Sequence, residues 1–432
     1  MQQGVIGGMV SPMLAKLTSP DSPILLNSEE ASWLASLANI ARLFGAVIGS
    51  IACAYLGSKR SILLTCLPIS VGWLATAFAK NVETLYAARV SNGIGTGMMF
   101  STFPLYIGEI AMPSIRGALI SFACCGFPIG QIVGSFATSY FDLTTSSLIY
   151  FGLCSIVVAI LLLLPESPYY FIRVSNRKAA KKSISWYRAD SGVEEELNAV
   201  EKFVATERSM SFIDKVKEFR KPVMRQAIYQ VIVLFTFMQI CGLNSIMSYM
   251  EIILRKAQCT ILSPGEVVVY VNISATIANV ISIFLIDNCG RKFLLIFSSA
   301  GLTVSMVSMS VHFALIDNNV NVINLQWIPI VSMVLFMAFF FLGLIPVPSA
   351  ILSETIPSNI KSVASGIGSF TAGIMAFLST KTFQPMVDGM GETYVFLTYA
   401  LITVVIIPYA IFIMLETKGK SLQQIQEELV KK

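Results

Sequence analysis

The chain has 432 residues, of which 55% are apolar and 13% charged, with a formal net charge of +5 and a mean hydropathy of +0.73. A soluble domain carries about 25% charged residues, so this composition excludes an ordinary soluble enzyme. No Walker A loop and no paired C-x2-C spacing occur, so no motif supports ATP-driven chemistry, a metal centre or another cofactor.

Twelve apolar runs follow in chain order: 4–17, 33–55, 61–79, 84–107, 117–140, 147–164, 226–250, 264–286, 292–314, 328–350, 363–382 and 394–414. A helix needs about 20 such residues to cross a hydrocarbon core of about 30 Å. The expected fold is therefore an all-α polytopic membrane protein with twelve transmembrane helices in two six-helix halves. The expected division is 1–164 for the first half, 165–225 for a helical linker, 226–414 for the second half and 415–432 for a tail. The first run is short, about 21 Å at 1.5 Å per residue, which predicts a truncated helix 1. No basic segment precedes it, so no cleavable leader is expected.

Lys and Arg set the orientation. With the amino terminus inside, the inner loops and tail hold 23 basic residues and the outer loops 5. Both termini and the 165–225 linker are then cytoplasmic. The positive charge is accounted for by topology and calls for no nucleic-acid partner. Within the linker, Arg177–Arg188 reads as a basic amphipathic helix. A second helix runs from Glu194 to Met210, with Leu197, Val200, Phe203 and Val204 on one stripe. A third, short helix fits Phe212–Arg220. The linker is read either as a latch against the helix ends or as a connector whose basic face lies near anionic lipid. His312 lies in an apolar run and is read as a packed residue. The Asn272-Ile-Ser274 sequon lies in a predicted helix, where glycosylation is not expected.

The chain repeats itself. Glu109 and Arg116 are spaced like Glu354 and Lys361, Gly57-Ser-Lys59-Arg60 matches Gly290-Arg291-Lys292, and Pro165-Glu166-Ser167 matches Leu415-Glu416-Thr417. The offsets of 245, 233 and 250 residues are near half the chain length. Internal repeats of this kind mark transporters that rock one half against the other. Basic groups are favoured at the partly negative carboxyl ends of helices. These charges are read either as a gate that pairs in one conformation or as topology anchors.

The string Arg89…Gly93…Gly97…Pro104…Tyr106…Glu109…Pro113…Arg116-Gly117 resembles the helix 4 signature of sugar porters in the major facilitator superfamily. Pro165-Glu166-Ser167-Pro168, Asp287-Asn-Cys-Gly290-Arg291-Lys292 and Glu416-Thr-Lys-Gly-Lys-Ser-Leu422 resemble further motifs of that family. Gly8-Met-Val-Ser11-Pro12 and Glu29-Glu30-Ala-Ser-Trp33 look most like insect facilitated trehalose transporters. The resemblance spans essentially the whole chain. It implies facilitative transport of a sugar or related polyol by alternating access, with no enzymatic activity. It implies a small sugar and the lipid bilayer as partners, no obligate protein partner, and residence in the plasma membrane. It also implies a gating set of Arg89, Glu109, Arg116, Glu166, Arg291, Lys292, Glu354, Lys361 and Glu416. A sugar sensor that no longer transports, or a carrier of another small solute, stays open because fold does not set substrate.

Sugar hydroxyls both donate and accept, which an uncharged amide can match. The candidate amides are Gln131 in helix 5 and Gln239 and Asn244 in helix 7, which alternatively bond helix to helix. Phe341 and Ser349 in helix 10 complete the expected substrate site. Here the chain departs from the family: Ser349 and Gly373 stand where Trp is usual, Phe341 where Glu is common, Met238 where a first Gln is usual, and Asn288 where a base is usual. Ala54 and Ser58 replace an acid and the first of three bases in the helix 2–3 loop. No carboxylate lies in Gly4-Val-Ile-Gly7-Gly8 or in the middle of any run, and a proton relay normally needs one. Arg42 is the odd charge within helix 2, expected either to face the cavity or to be buried against a carbonyl.

Overall fold

A computed structural model of the chain describes residues 1–111, 119, 126–188, 192–208, 217–357, 360–420, 424–425 and 427–428. Among the described residues the secondary structure is helical, without strands. Eight stretches are long and apolar enough to cross a membrane, and the last, Val363–Ile413, holds two of the predicted runs. Three predicted runs fall outside that measure. The first forms two short helices, α1 (Gln2–Gly8) and α2 (Val10–Leu17). The fourth, α5 (Val82–Ile110), is long but carries Asn92, Gly93, Gly95, Thr96, Gly97, Ser101 and Thr102 in its middle. The fifth is described in full only over α6 (Gly126–Tyr140).

The small residues of these helices have a packing role. Where α1 crosses α6, a Cβ on Gly4 would lie 1.9 Å from the Phe127 carbonyl oxygen, and one on Gly8 would lie 2.2 Å from that of Gln131. α3 (Ser28–Leu56) crosses α5 in the same way, with Gly97 against the Arg42 carbonyl. Lipid is as apolar as leucine, so helices in a membrane associate through such close backbone approach. α3 starts five residues before the apolar run because Asn27 and Glu30 form a reciprocal capping box.

α4 (Ser58–Ala77) and α7 (Leu143–Leu163) complete the first half. The linker opens with a short helix that composition alone did not suggest, α8 (Pro168–Arg173), followed by α9 (Arg177–Arg188) and α10 (Val193–Arg208). Ala180, Ile184 and Leu197 form its small core. Tyr187 donates its hydroxyl to the Pro165 carbonyl and shares a 2.8 Å hydrogen bond with Tyr106, which docks α9 on the first half. Residues 209–216, most of the third expected linker helix, lie outside the described residues.

In the second half, α11 (Pro222–Ile240) and α12 (Leu243–Lys256) are separated at Gly242, whose φ of 96° is left-handed. α12 reaches beyond the expected end of the run and encloses Glu251, which is 7% exposed. Glu251 lies just past the predicted run 226–250, toward the end of the helix and not in the middle of the run. An apolar-run count stops at the first charge, whereas the helix continues and Arg255 pairs with that charge at 2.8 Å. α13 (Pro264–Cys289) and α14 (Arg291–Asp317) follow. α15 (Trp327–Phe339) passes through a π-helical turn, Phe340–Leu344, into α16 (Pro346–Thr355). Pro346 and Pro348 lack backbone donors, and the Ile345 amide bonds the Phe340 carbonyl five residues back. α17 (Lys361–Pro408) contains two helical arms joined at Gly391, φ 78°, and ends in a second π-helical turn, Tyr409–Ile413.

The linker and the residues that follow α17 share one end of the bundle, here called the linker end, where Phe219 packs on the cluster of Leu415 and Ile425. Cross-half contacts gather away from it. Ser11 accepts the Glu251 amide at 2.8 Å, Ser32 donates to the Lys381 carbonyl, Asn39 donates to Thr380, and the Lys381 ammonium lies 4.1 Å from the Trp33 ring centre. At the linker end, Glu109 pairs with Arg173 of the linker beside it, and Arg291 pairs with Glu354 within the second half.

Candidate functional site

Four helices meet midway between the halves. On α6, Phe127 and Gln131 are four residues apart and share a face. The Phe127 ring stacks on Phe341 of the first π-turn, with centroids 6.4 Å apart and planes at 28°. Gln131 is fully buried and points its Nε2 at the Met247 sulfur of α12, 3.5 Å away. Its Oε1 is buried with no hydrogen-bond partner. Such a group costs about 1–3 kcal/mol unless something satisfies it.

The break at Gly242 positions the other two amides. A Cβ there would lie 2.8 Å from the Tyr399 ring, so the chain passes between α11 and α12 only with glycine. Gln239 and Asn244 flank the break, and Asn244 donates to the Gln239 carbonyl oxygen at 2.5 Å. Asn244 and Met247 share a face three residues apart, which brings the Gln239–Asn244 pair toward Gln131. Of the expected substrate residues, the structure gathers Gln131, Gln239, Asn244 and Phe341. Ser349 is exposed, beyond the π-turn. Phe127 and Met247 were not anticipated. No composition signal separates them from packing residues, and only the crossing of helices shows them.

The charged set divides at the linker end. In the second half, Glu354 takes two bonds from Arg291, 2.7 Å from Nη2 and 3.1 Å from Nε. Glu416 accepts the Arg291 and Lys292 backbone amides at 3.1 and 2.9 Å. Burial pushes the Glu416 carboxyl up, but hydrogen bonds from the Lys418, Lys292, Arg291 and Thr417 amides outweigh it and hold the pKa below its ordinary value. Lys292 donates its ammonium to the Ile411 carbonyl. In the first half, Glu166 accepts the Lys59 and Arg60 amides at 2.9 and 3.1 Å, and Lys59 donates to the Leu164 carbonyl. Glu109 accepts the Ser58 hydroxyl at 2.5 Å and lies 3.9 Å from Arg173, a linker residue outside the expected set.

Arg89 does not join this cluster. It is buried near the opposite end of α5, donating from Nε to the Leu34 carbonyl at 3.1 Å. The helix 4 signature contains both Arg89 and Glu109, but 20 residues of helix separate them by about 30 Å. Arg116 and the Lys361 side chain lie outside the described residues. Arg42 sits over the Phe100 ring, 5.6 Å from its centre, and His312 is buried against the Ala257 carbonyl at 3.0 Å.

Comparison with known proteins bears on the family and the fold. Residues 2–429 match the family described as "Sugar (and other) transporter". The facilitated trehalose transporter Tret1 of Bombyx mori is 29% identical over 436 residues, covering 99% of this chain and 84% of that protein. Its counterpart in Polypedilum vanderplanki is 28% identical, covering 98% and 86%. Among solved structures, the inward-open xylose transporter XylE of E. coli superimposes with a TM-score of 0.79 at 19% identity, covering 99% of this chain and 97% of that one. The same transporter bound to 6-bromo-6-deoxy-D-glucose gives 0.75. The chain has the major facilitator fold, is an integral membrane protein and belongs to the sugar (and other) transporter family.

Proposed function

We propose that the chain carries a sugar or related polyol by facilitated diffusion, binding it between the halves at Gln131, Gln239, Asn244 and Phe341. The observation that supports this most is the buried, unpartnered Oε1 of Gln131 at the seam between α6 and α12. A sugar hydroxyl is a neutral donor of the right kind for it. The Gln239–Asn244 pair supplies further donors and acceptors, and the Phe127–Phe341 stack supplies an apolar wall. The expected helix 10 Trp is still absent, so this wall stands in for a stacking platform. Trehalose is a natural first substrate to test, given what the relatives transport.

The linker end is cytoplasmic on the Lys and Arg distribution, in the plasma membrane, with 1–164 and 226–414 as the moving halves. The state described here then faces inward, because contacts across the halves lie at the outer end. Glu251 is the buried carboxylate at that outer seam. Its pairing with Arg255 favours uncoupled transport.

The test is uptake of labelled trehalose and a panel of monosaccharides into proteoliposomes. Gln131→Met, Gln239→Ala and Asn244→Ala should each lower uptake roughly 3- to 10-fold, the worth of one hydrogen bond. Uptake should equilibrate without accumulation under an imposed pH gradient. Normal uptake in all three variants would make the amides packing residues. Accumulation abolished by an ionophore would end the uniport reading.

A further inference from the structure

On the outer wall of the second half, away from the four-helix site, α11 and the end of α17 leave a groove of about 520 Å³ at the linker end. Its floor follows from the second π-turn. Pro408 donates no backbone hydrogen bond, and the Met414 amide bonds the Tyr409 carbonyl five residues back, which widens the helix beside α11. Tyr229, Val405 and Phe412 line the groove and are more than half exposed. In a chain that spans a bilayer, that exposure is toward lipid. The groove is apolar but holds two unanswered hydroxyls. Tyr409 is 6% exposed and its buried hydroxyl has no partner. Thr236 lines the groove, and unlike Thr371, Thr380 and Thr398 it makes no bond to the carbonyl four residues back.

The mouth is basic. Arg225 precedes Tyr229 by four residues, so the two share a face of α11. Arg225 and Arg220 are both exposed, and neither has a carboxylate partner among the described residues. Arg225 stands in the first turn of α11, at the depth of lipid headgroups. An occupant therefore needs a negative head near the bundle end, polar groups a few ångströms deeper and an acyl tail below them. That order of chemistry is the order of a phospholipid: phosphate, ester carbonyls, chain. We propose that this groove binds one anionic phospholipid of the same leaflet as the linker. Its phosphate lies on Arg225, and an ester oxygen accepts from Tyr409.

The experiment is native mass spectrometry of the purified full chain, titrated separately with dioleoylphosphatidylserine, dioleoylphosphatidylcholine and cholesterol. The unmodified chain should retain one phosphatidylserine in preference to phosphatidylcholine. Val405→Trp fills the groove and should abolish that adduct. Val304→Trp, an equally exposed apolar site on α14, should keep it. Arg225→Gln should weaken phosphatidylserine binding about five-fold, the worth of one basic residue near the membrane surface, and weaken phosphatidylcholine, whose choline offsets its phosphate charge, by less. Tyr409→Phe should weaken both roughly three-fold. Equal adducts in the unmodified chain and Val405→Trp, or equal loss in Val304→Trp, would overturn the site. Retention of cholesterol in place of phosphatidylserine would overturn the phospholipid assignment.

Discussion

Gly57 and Gly290 adopt nearly the same backbone angles, φ 89° and ψ 161° against φ 88° and ψ 156°. Above each, a carboxylate accepts two amides in the first turn of the next helix: Glu166 those of Lys59 and Arg60 in α4, and Glu416, one position earlier, those of Arg291 and Lys292 in α14. One position on, the halves differ. The second half has Arg291, which grips Glu354 with two bonds. The first half has Ser58, which gives Glu109 one neutral hydrogen bond, while Arg173 of the linker stands 3.9 Å away. The caps agree because they are built from backbone amides, which every residue but proline supplies. The next layer depends on a guanidinium, and losing it changed the partner from the half itself to the linker.

Three experiments break or sharpen this comparison. The largest effect is expected where the halves agree. Gly57→Ala and Gly290→Ala force a side chain into a region open essentially to glycine. The added carbon would also lie 2.8 Å from Tyr170 in one half and 2.8 Å from the Glu416 carboxylate in the other. Each should cost about 3 kcal/mol, read as a similar fall in thermal midpoint in detergent. A large loss for one and none for the other would show that the caps are not equivalent.

A smaller effect separates the halves. Glu354→Gln takes from the Arg291 guanidinium, only 12% exposed, the carboxylate it grips with two bonds. Removing one partner of a buried pair costs about 3–5 kcal/mol, and partial exposure reduces that here to about 2. Glu109→Gln keeps a hydrogen bond to Ser58 and loses only the long 3.9 Å contact with Arg173, worth less than about 1 kcal/mol. Equal destabilisation in the two variants would mean that Arg173 replaces Arg291 fully.

The smallest change is a restoration. Ser58→Arg with Ala54→Asp should give Glu109 a partner within its own half and free Arg173, a gain of about 1 kcal/mol. A cysteine placed at the linker end of α16 reports the conformational balance. If these clusters bias alternating access, the restored chain should label more slowly than the parent. Unchanged labelling together with raised stability would leave the cluster a structural anchor.

Much of this could be read before any coordinates. Apolar runs and the repeated charged motifs were enough for the fold class, because lipid forces backbone groups to bond within each helix. Ser58 and Ala54 already marked the first half as depleted. The spacing of the helix 4 signature, by contrast, put Arg89 and Glu109 in one motif while the straight helix holds them at opposite ends. Glu251 escaped a count of apolar residues because its burial depends on Ser11 and Arg255 folding against it. The amides at 131, 239 and 244 are visible in the chain, but which lacks a partner is not. Gln239 and Asn244 satisfy each other across the Gly242 break, and only the crossing of α6 with α12 leaves the Gln131 oxygen alone. The sequence by itself determined which segments enter the membrane and which residues carry charge. The tertiary structure decided who pairs with whom, because hydrogen bonds and ion pairs act over about 3 Å, and helix packing alone sets those distances.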